Sequence, residues 1–145
     1  MNPKITDWNG RRVWLVGASS GIGAALAHEL ARRGARLAVS ARNADRLRAL
    51  DIAGAWLLPC DATDAAGLAA ARSELLAAWG GVDLVVYLAG DYVPMRVDGF
   101  DRAVAEQILA VNFLGALRLT ATVLGDLPAG GGIALVASVA GYRGL

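Results

Sequence analysis

Short apolar runs alternate with longer amphipathic ones from end to end of this chain. Runs of four or five residues that are apolar through their centres occupy 13–16, 36–40, 55–58, 84–88 and 133–137. A strand covered on both faces reads as such an unbroken run, because neither face meets water. Between them, residues 22–33, 44–50, 65–79 and 101–124 carry apolar positions at helical spacing. Leu68, Arg72, Leu75 and Trp79 recur along the third of these, with the arginine at the margin of the stripe. Val104, Ile108, Val111, Gly115 and Leu119 form a stripe along the fourth. Asp64 is placed to cap the third helix, Gly80-Gly81 to end it, and 127–132 to make a turn. Strands and helices in this alternation imply parallel βαβ units with right-handed crossovers. The expected fold class is α/β, with a doubly wound parallel sheet. The fifth run, Ile133 to Ala137, reads as an interior strand. Such sheets usually continue beyond a fifth strand, so the chain reads as truncated there, with an open edge fit for pairing.

The join between the first strand and the first helix is Val16-Gly17-Ala18-Ser19-Ser20-Gly21-Ile22-Gly23. A glycine turn opening a helix is an anion site, because unpaired backbone N–H groups and the helix dipole both favour negative charge. Gly17 serves the tight exit from the strand, Gly21 the approach of backbone to a pyrophosphate, and Gly23 close packing of helix on strand. The turn therefore points to a dinucleotide.

Gly-Ala-Ser-Ser-Gly-Ile-Gly at G-x-x-x-G-x-G spacing resembles the short-chain dehydrogenase/reductase family, and the resemblance extends over essentially the whole chain. It implies a Rossmann-like NAD(P)-binding domain, 1–145, and places Ser19, Ser20, Gly21 and Ile22 around the cofactor pyrophosphate. The serines serve equally well as helix caps. After the second strand stands Arg42, where a cofactor with an unmodified ribose is usually held by a carboxylate. A guanidinium suits a 2′-phosphate, so NADP(H) is preferred and NAD(H) stays possible. Many NADP-preferring relatives carry a second basic residue where this chain has Ser20. Arg46 and Arg48 read as ordinary exposed arginines.

The same resemblance places Asp61 and Ala62 at the adenine, although Asp61 followed by Thr63 and Asp64 also makes a capping turn. Ala89 and Gly90 keep small residues under the cofactor, whereas Tyr87 and Leu88 stand where the family commonly has asparagines. Tyr87 reads as a core or strand-end residue. Asn112 matches the family asparagine that supports a catalytic lysine through a water. A buried amide on an apolar helix also needs partners for packing alone. Ser138 matches the serine that hydrogen-bonds the substrate oxygen, and it follows a strand end, where ligands of open α/β sheets bind. In the family the acid/base is a tyrosine about a dozen residues past that serine, and a lysine one turn further lowers its pKa. Leu145 ends the sequence before either position. Tyr142 and the sole lysine, Lys4, fit neither role. The resemblance thus implies the N-terminal part of an oxidoreductase that moves hydride between nicotinamide and a small-molecule carbonyl or secondary alcohol, inactive by itself. The alternative is a non-catalytic nucleotide-binding module or interaction protein. A homo-oligomer paired through the open edge is a third reading. Residues 91–95 read equally as a substrate-cleft wall or a surface loop.

Composition narrows the partners. A net charge of +1, with no long basic run, argues against nucleic acid or an acidic membrane surface. Arg11-Arg12 and Arg32-Arg33 read as solvated element ends. No stretch reads as long enough to span a membrane, and the N-terminus lacks the apolar core of a signal peptide. Cys60 is the sole cysteine, which suits a reducing, cytoplasmic setting; it reads as a small core residue. His28, the one histidine, falls inside the first helix and reads as structural or surface.

Overall fold

The computed structural model describes residues 5–141. Lys4 and Tyr142 lie outside them. Five strands, β1 (Arg12–Val16), β2 (Arg36–Ser40), β3 (Trp56–Leu57), β4 (Leu84–Tyr87) and β5 (Gly132–Leu135), form one parallel sheet in the order β3-β2-β1-β4-β5. The chain runs outward from β1 to β3, then crosses back to lay β4 on the other side of β1. That reversal opens a crevice at the carboxyl ends of β1 and β4, the place where doubly wound sheets take ligands.

Strands β1, β2 and β4 bury both faces, as their apolar runs require. Val13, Leu15, Leu37 and Val39 pack toward α1 (Gly21–Arg32) and α2 (Ala44–Arg48). Trp14, Val16, Ala38, Val85 and Tyr87 pack on the opposite face toward α3 (Ala65–Trp79) and α5 (Ala116–Val123). Ser40 is fully buried, and its hydroxyl oxygen accepts from the Trp14 indole N–H at 2.8 Å. An unpaired polar group there would cost about 1–3 kcal/mol.

The structure corrects several boundaries. β3 covers only two of the expected residues 55–58, because a strand paired on one side alone has a single neighbour to hold it. β5 starts one residue earlier than expected and stops at Leu135. Among the described residues it lies at the edge of the sheet: Leu135 and Val136 are 55% and 47% exposed, and no described strand pairs with its outer side. The run expected as one helix over 101–124 is α4 (Arg102–Leu109), a π-helical turn over Ala110–Gly115, and α5. Across Arg102–Asp126 this helical run has mean hydropathy 1.7 over its most apolar window, long and apolar enough by length and composition to cross a membrane. The expectation that no stretch has this length is corrected accordingly. Its Val111, Ala116, Leu119 and Val123 are buried within the fold. Arg12 is no solvated end either. It forms an ion pair with Asp83 at 2.5 Å, ties its own backbone N–H to the same carboxylate at 2.9 Å, and donates to the Trp79 carbonyl.

Candidate functional site

A cleft of about 350 Å³ opens across the carboxyl ends of the strands. Its floor begins where β1 passes into the glycine turn. The N–H groups of Gly17 and Ala18 both bond the Ser40 carbonyl, at 2.8 and 3.1 Å, which bends the chain over the end of β2. Gly17 has φ +97°, and a Cβ there would overlap the backbone nitrogen of Ala89. The turn and the end of β4 are thus in backbone contact, possible only without a side chain. A Cβ at Gly23 would overlap the Gly17 carbonyl, so the first turn of α1 sits as close to the turn leaving β1 as packing allows.

Ser20 occupies the N-cap position of α1 in extended conformation, yet its side chain makes no capping hydrogen bond. The capping alternative for this serine therefore gains no support, and its hydroxyl remains available at the mouth of the helix dipole. Ser19, Ser20, Ile22 and Gly23 all line the cleft; Ile22 is 71% exposed, an apolar surface facing it. Gly21, at φ +53°, lies within the same turn but is not itself part of the lining.

From β2 the cleft receives Ala41, Arg42, Asn43 and Arg46. Asn43 caps α2 by accepting from the Arg46 N–H at 2.9 Å, which fixes the first helical turn beside Arg42. Neither Arg42 nor Arg46 forms an ion pair among the described residues, whereas Arg48 pairs with Asp45 at 2.5 Å. The reading of Arg48 as an ordinary surface residue fits this. Arg46 is exposed as expected, and it also stands in the cleft wall. The spacing of four residues between the two arginines was the available signal.

Beyond β3 come Cys60, Asp61 and Ala62. Asp61 Oδ1 accepts from the Thr63 N–H and hydroxyl, both at 2.8 Å, so the residue makes the turn that precedes the Asp64 cap. Its capping role and a place in the cleft coexist. Cys60 is half-buried in the wall, and burial pushes its thiol above the usual cysteine range. Leu88, Ala89 and Gly90 supply the wall after β4, with Val111 and Val136 closing the far end.

Two expected residues stand apart. Asn112 is exposed, not on the buried side of its helix; its amide oxygen accepts from the Asp91 N–H at 2.7 Å and its amide nitrogen donates to the Asp91 carbonyl at 2.9 Å. Ser138 is exposed, two residues past Val136, and its hydroxyl accepts from the Ala140 N–H at 3.2 Å. Neither forms part of the cleft lining, and nor do residues 91–95. Tyr87 is a core residue. It is 2% exposed, its hydroxyl donates to the Val111 carbonyl at 2.5 Å, and burial pushes its pKa up to about 12. His28 is exposed on α1. Among the described residues no group of three His, Cys, Asp or Glu side chains is placed to hold a metal ion.

A parallel sheet wound in both directions, with a glycine turn at the switch point, defines a Rossmann-like nucleotide-binding fold. Comparison with known proteins narrows that class. The short chain dehydrogenase family profile matches residues 11–145. The chain is 34% identical to a short-chain type dehydrogenase/reductase of Sinorhizobium fredii, over 93% of this chain and 58% of that one. It is 33% identical to dehydrogenase/reductase SDR family member 7 of Mus musculus, over 81% of this chain and 40% of the relative, and 32% identical to a sorbitol dehydrogenase of Cereibacter sphaeroides, over 94% and 56%. A short-chain dehydrogenase/reductase from Brucella melitensis superposes with TM-score 0.91 at 25% identity, covering 97% of this chain and 62% of that structure. A dehydrogenase/reductase from Sinorhizobium meliloti superposes at 0.87 with 30% identity, covering 96% and 58%. The chain belongs to the short-chain dehydrogenase/reductase family of oxidoreductases, whose fold binds NAD(P), and spans 40 to 58% of the length of these curated relatives.

Proposed function

We propose that residues 1–145 form the cofactor-binding portion of an NADP(H)-preferring oxidoreductase acting on a carbonyl or secondary alcohol. One observation carries the cofactor choice: Arg42 and Arg46 line the same cleft without an ion-pair partner among the described residues. A 2′-phosphate is well matched by two guanidinium groups, and Arg46 supplies the second cation that Ser20 does not. The uncapped Ser20 hydroxyl and the free N–H groups opening α1 would hold the pyrophosphate. Asp61 would accept from the adenine amino group. Gly17 and Gly23 leave the cradle that side chains would fill.

The cofactor, when bound, supplies the hydride. The chain's part is placement. Ala89 and Gly90 keep the β4 end low beneath the nicotinamide side, and the exposed Ser138 hydroxyl would bond the substrate oxygen. Tyr87 is excluded as proton donor by its burial and its bond to Val111. The relative named for sorbitol, a polyol, fits the secondary-alcohol class. Free Cys60 suits the cytoplasmic setting that completes this reading.

Fluorescence titration with NADPH and NADH tests the cofactor reading. Tighter binding of NADPH is expected, with Arg42→Ala and Arg46→Ala each weakening NADPH by about three- to tenfold and leaving NADH unchanged. Equal affinity for both nucleotides, untouched by either substitution, overturns the preference; no binding of either overturns the nucleotide site.

A further inference from the structure

Tyr87 and Asn112 belong to one circuit that no cleft-lining residue reveals. Tyr87 closes β4, and its hydroxyl reaches across the core to the Val111 carbonyl at 2.5 Å. That carbonyl lies in the π-helical turn Ala110–Gly115. The next residue along, Asn112, clamps both the N–H and the carbonyl of Asp91, in the loop that follows the same strand. The strand is thus tied to the helix at its end, and the helix is tied back to the loop four residues later. Leu88, Ala89 and Gly90 are the residues held between the two ties, and they are cleft wall.

The geometry is specific to a tyrosine facing a glycine. A Cβ on Gly115 would overlap the Tyr87 hydroxyl oxygen and would stand 3.0 Å from the Ala62 carbonyl. The hydroxyl therefore fills the place of a side chain at 115. A π-turn widens the helix by one residue and leaves backbone carbonyls that outside donors can reach. Tyr87 is such a donor, and with a pKa of about 12 it keeps its proton at any working pH.

We infer that Tyr87 is a positioning residue for the cofactor cleft: by bonding Val111 it holds the π-turn in the register that aims Asn112 at Asp91, and the two ties together set Leu88 and Ala89 against Gly17. This rests on the proposed cleft for its purpose, but its geometry stands without any cofactor. The chain places a phenol where its family commonly has an amide, and the phenol makes the bond across to the helix.

Native-state amide exchange of the full chain, without cofactor, tests it directly. Tyr87→Phe keeps the ring and removes the donor. The Asp91 amide is expected to exchange about three- to tenfold faster, the range of one lost hydrogen bond, while the amides of Leu15 and Val39 in the sheet interior keep their rates. Asn112→Ala should loosen Asp91 in the same way, and Tyr87→Phe with Asn112→Ala should add nothing beyond the larger single effect. NADPH affinity should fall alongside. Unchanged Asp91 exchange in Tyr87→Phe, or uniform acceleration of every amide, overturns the inference. If Tyr87→Phe does not fold, Gly115→Ala, which displaces the hydroxyl and keeps the ring, must show the same selective loosening, or the inference fails. Failure of the unaltered chain to bind NADPH sinks the cofactor reading alone, since the exchange measurement uses none.

Discussion

Three glycines in one turn make separable predictions, and Gly23→Ala is the sharpest. A Cβ there meets the Gly17 carbonyl in overlap and the Ala18 Cα at 2.9 Å, both backbone atoms that no rotamer change can move aside. The only relief is for the start of α1 to lift from the Gly17-Ala18 turn. Forcing a methyl into a packed contact costs about 1–3 kcal/mol, and alanine returns roughly 0.5–1 kcal/mol through its better helix propensity. Overlap with backbone on both sides places the cost at the upper end, so the net loss is about 2–2.5 kcal/mol, or a fall of roughly 4–10 °C in Tm for a domain near this size. Gly21→Ala differs in kind. Nothing stands within 4 Å of a Cβ there, so the cost is the left-handed φ of +53° alone, about 1–2 kcal/mol. Its methyl would stand at the helix mouth where a pyrophosphate would approach. Differential scanning calorimetry and NADPH titration separate the two. Gly23→Ala should tilt the helix and lower both Tm and affinity, while Gly21→Ala should lose more affinity than its Tm explains. A Gly23→Ala protein of unchanged Tm would refute the claim that helix and turn touch through that glycine.

Other consequences follow from charge and burial. The Arg12 guanidinium bonds Asp83 and holds its carboxyl below the usual aspartate value, so the pair stabilises the fold above the unfolded pKa, and the contribution is lost as pH falls through the lower folded value. Asp83→Asn should cost roughly 1–2 kcal/mol in urea unfolding at neutral pH, between exposed and buried pairs, with the gap closing below about pH 4. A gap that persists at low pH would remove the ion pair as its cause. Cys60, its thiol raised by burial, should alkylate slowly at neutral pH and faster in alkali, and bound NADPH should slow it further because Cys60 lines the cleft. Protection absent at saturating NADPH would place the nucleotide elsewhere.

Strands β1, β2 and β4 were legible because both faces of each are buried, and a doubly covered strand leaves an unbroken apolar run. Edge strands leave a weaker trace. β3 and β5 each have one pairing partner, so the ends of their apolar runs fall outside the ladder.

That the glycine turn, Arg42, Asp61 and Ala89-Gly90 meet at one cleft was legible, because strand ends and tight backbone turns demand particular residue types. Arg46 was not, since a short amphipathic helix shows the same charged positions whether they face solvent or a cleft. The π-turn hid for a related reason. Val111, Gly115, Leu119 and Val123 are spaced by four at every step, running ahead of the 3.6-residue period, so a straight α-helix would carry them progressively off one face. A wide turn takes up part of that drift, and the spacing was its one visible sign. What no spacing could show is that a hydroxyl from β4 occupies the room left at Gly115. That contact joins residues 28 positions apart by pairing a phenol's reach with a missing methyl. Either half alone reads as an ordinary core tyrosine or an ordinary helix glycine; their coupling exists only in three dimensions.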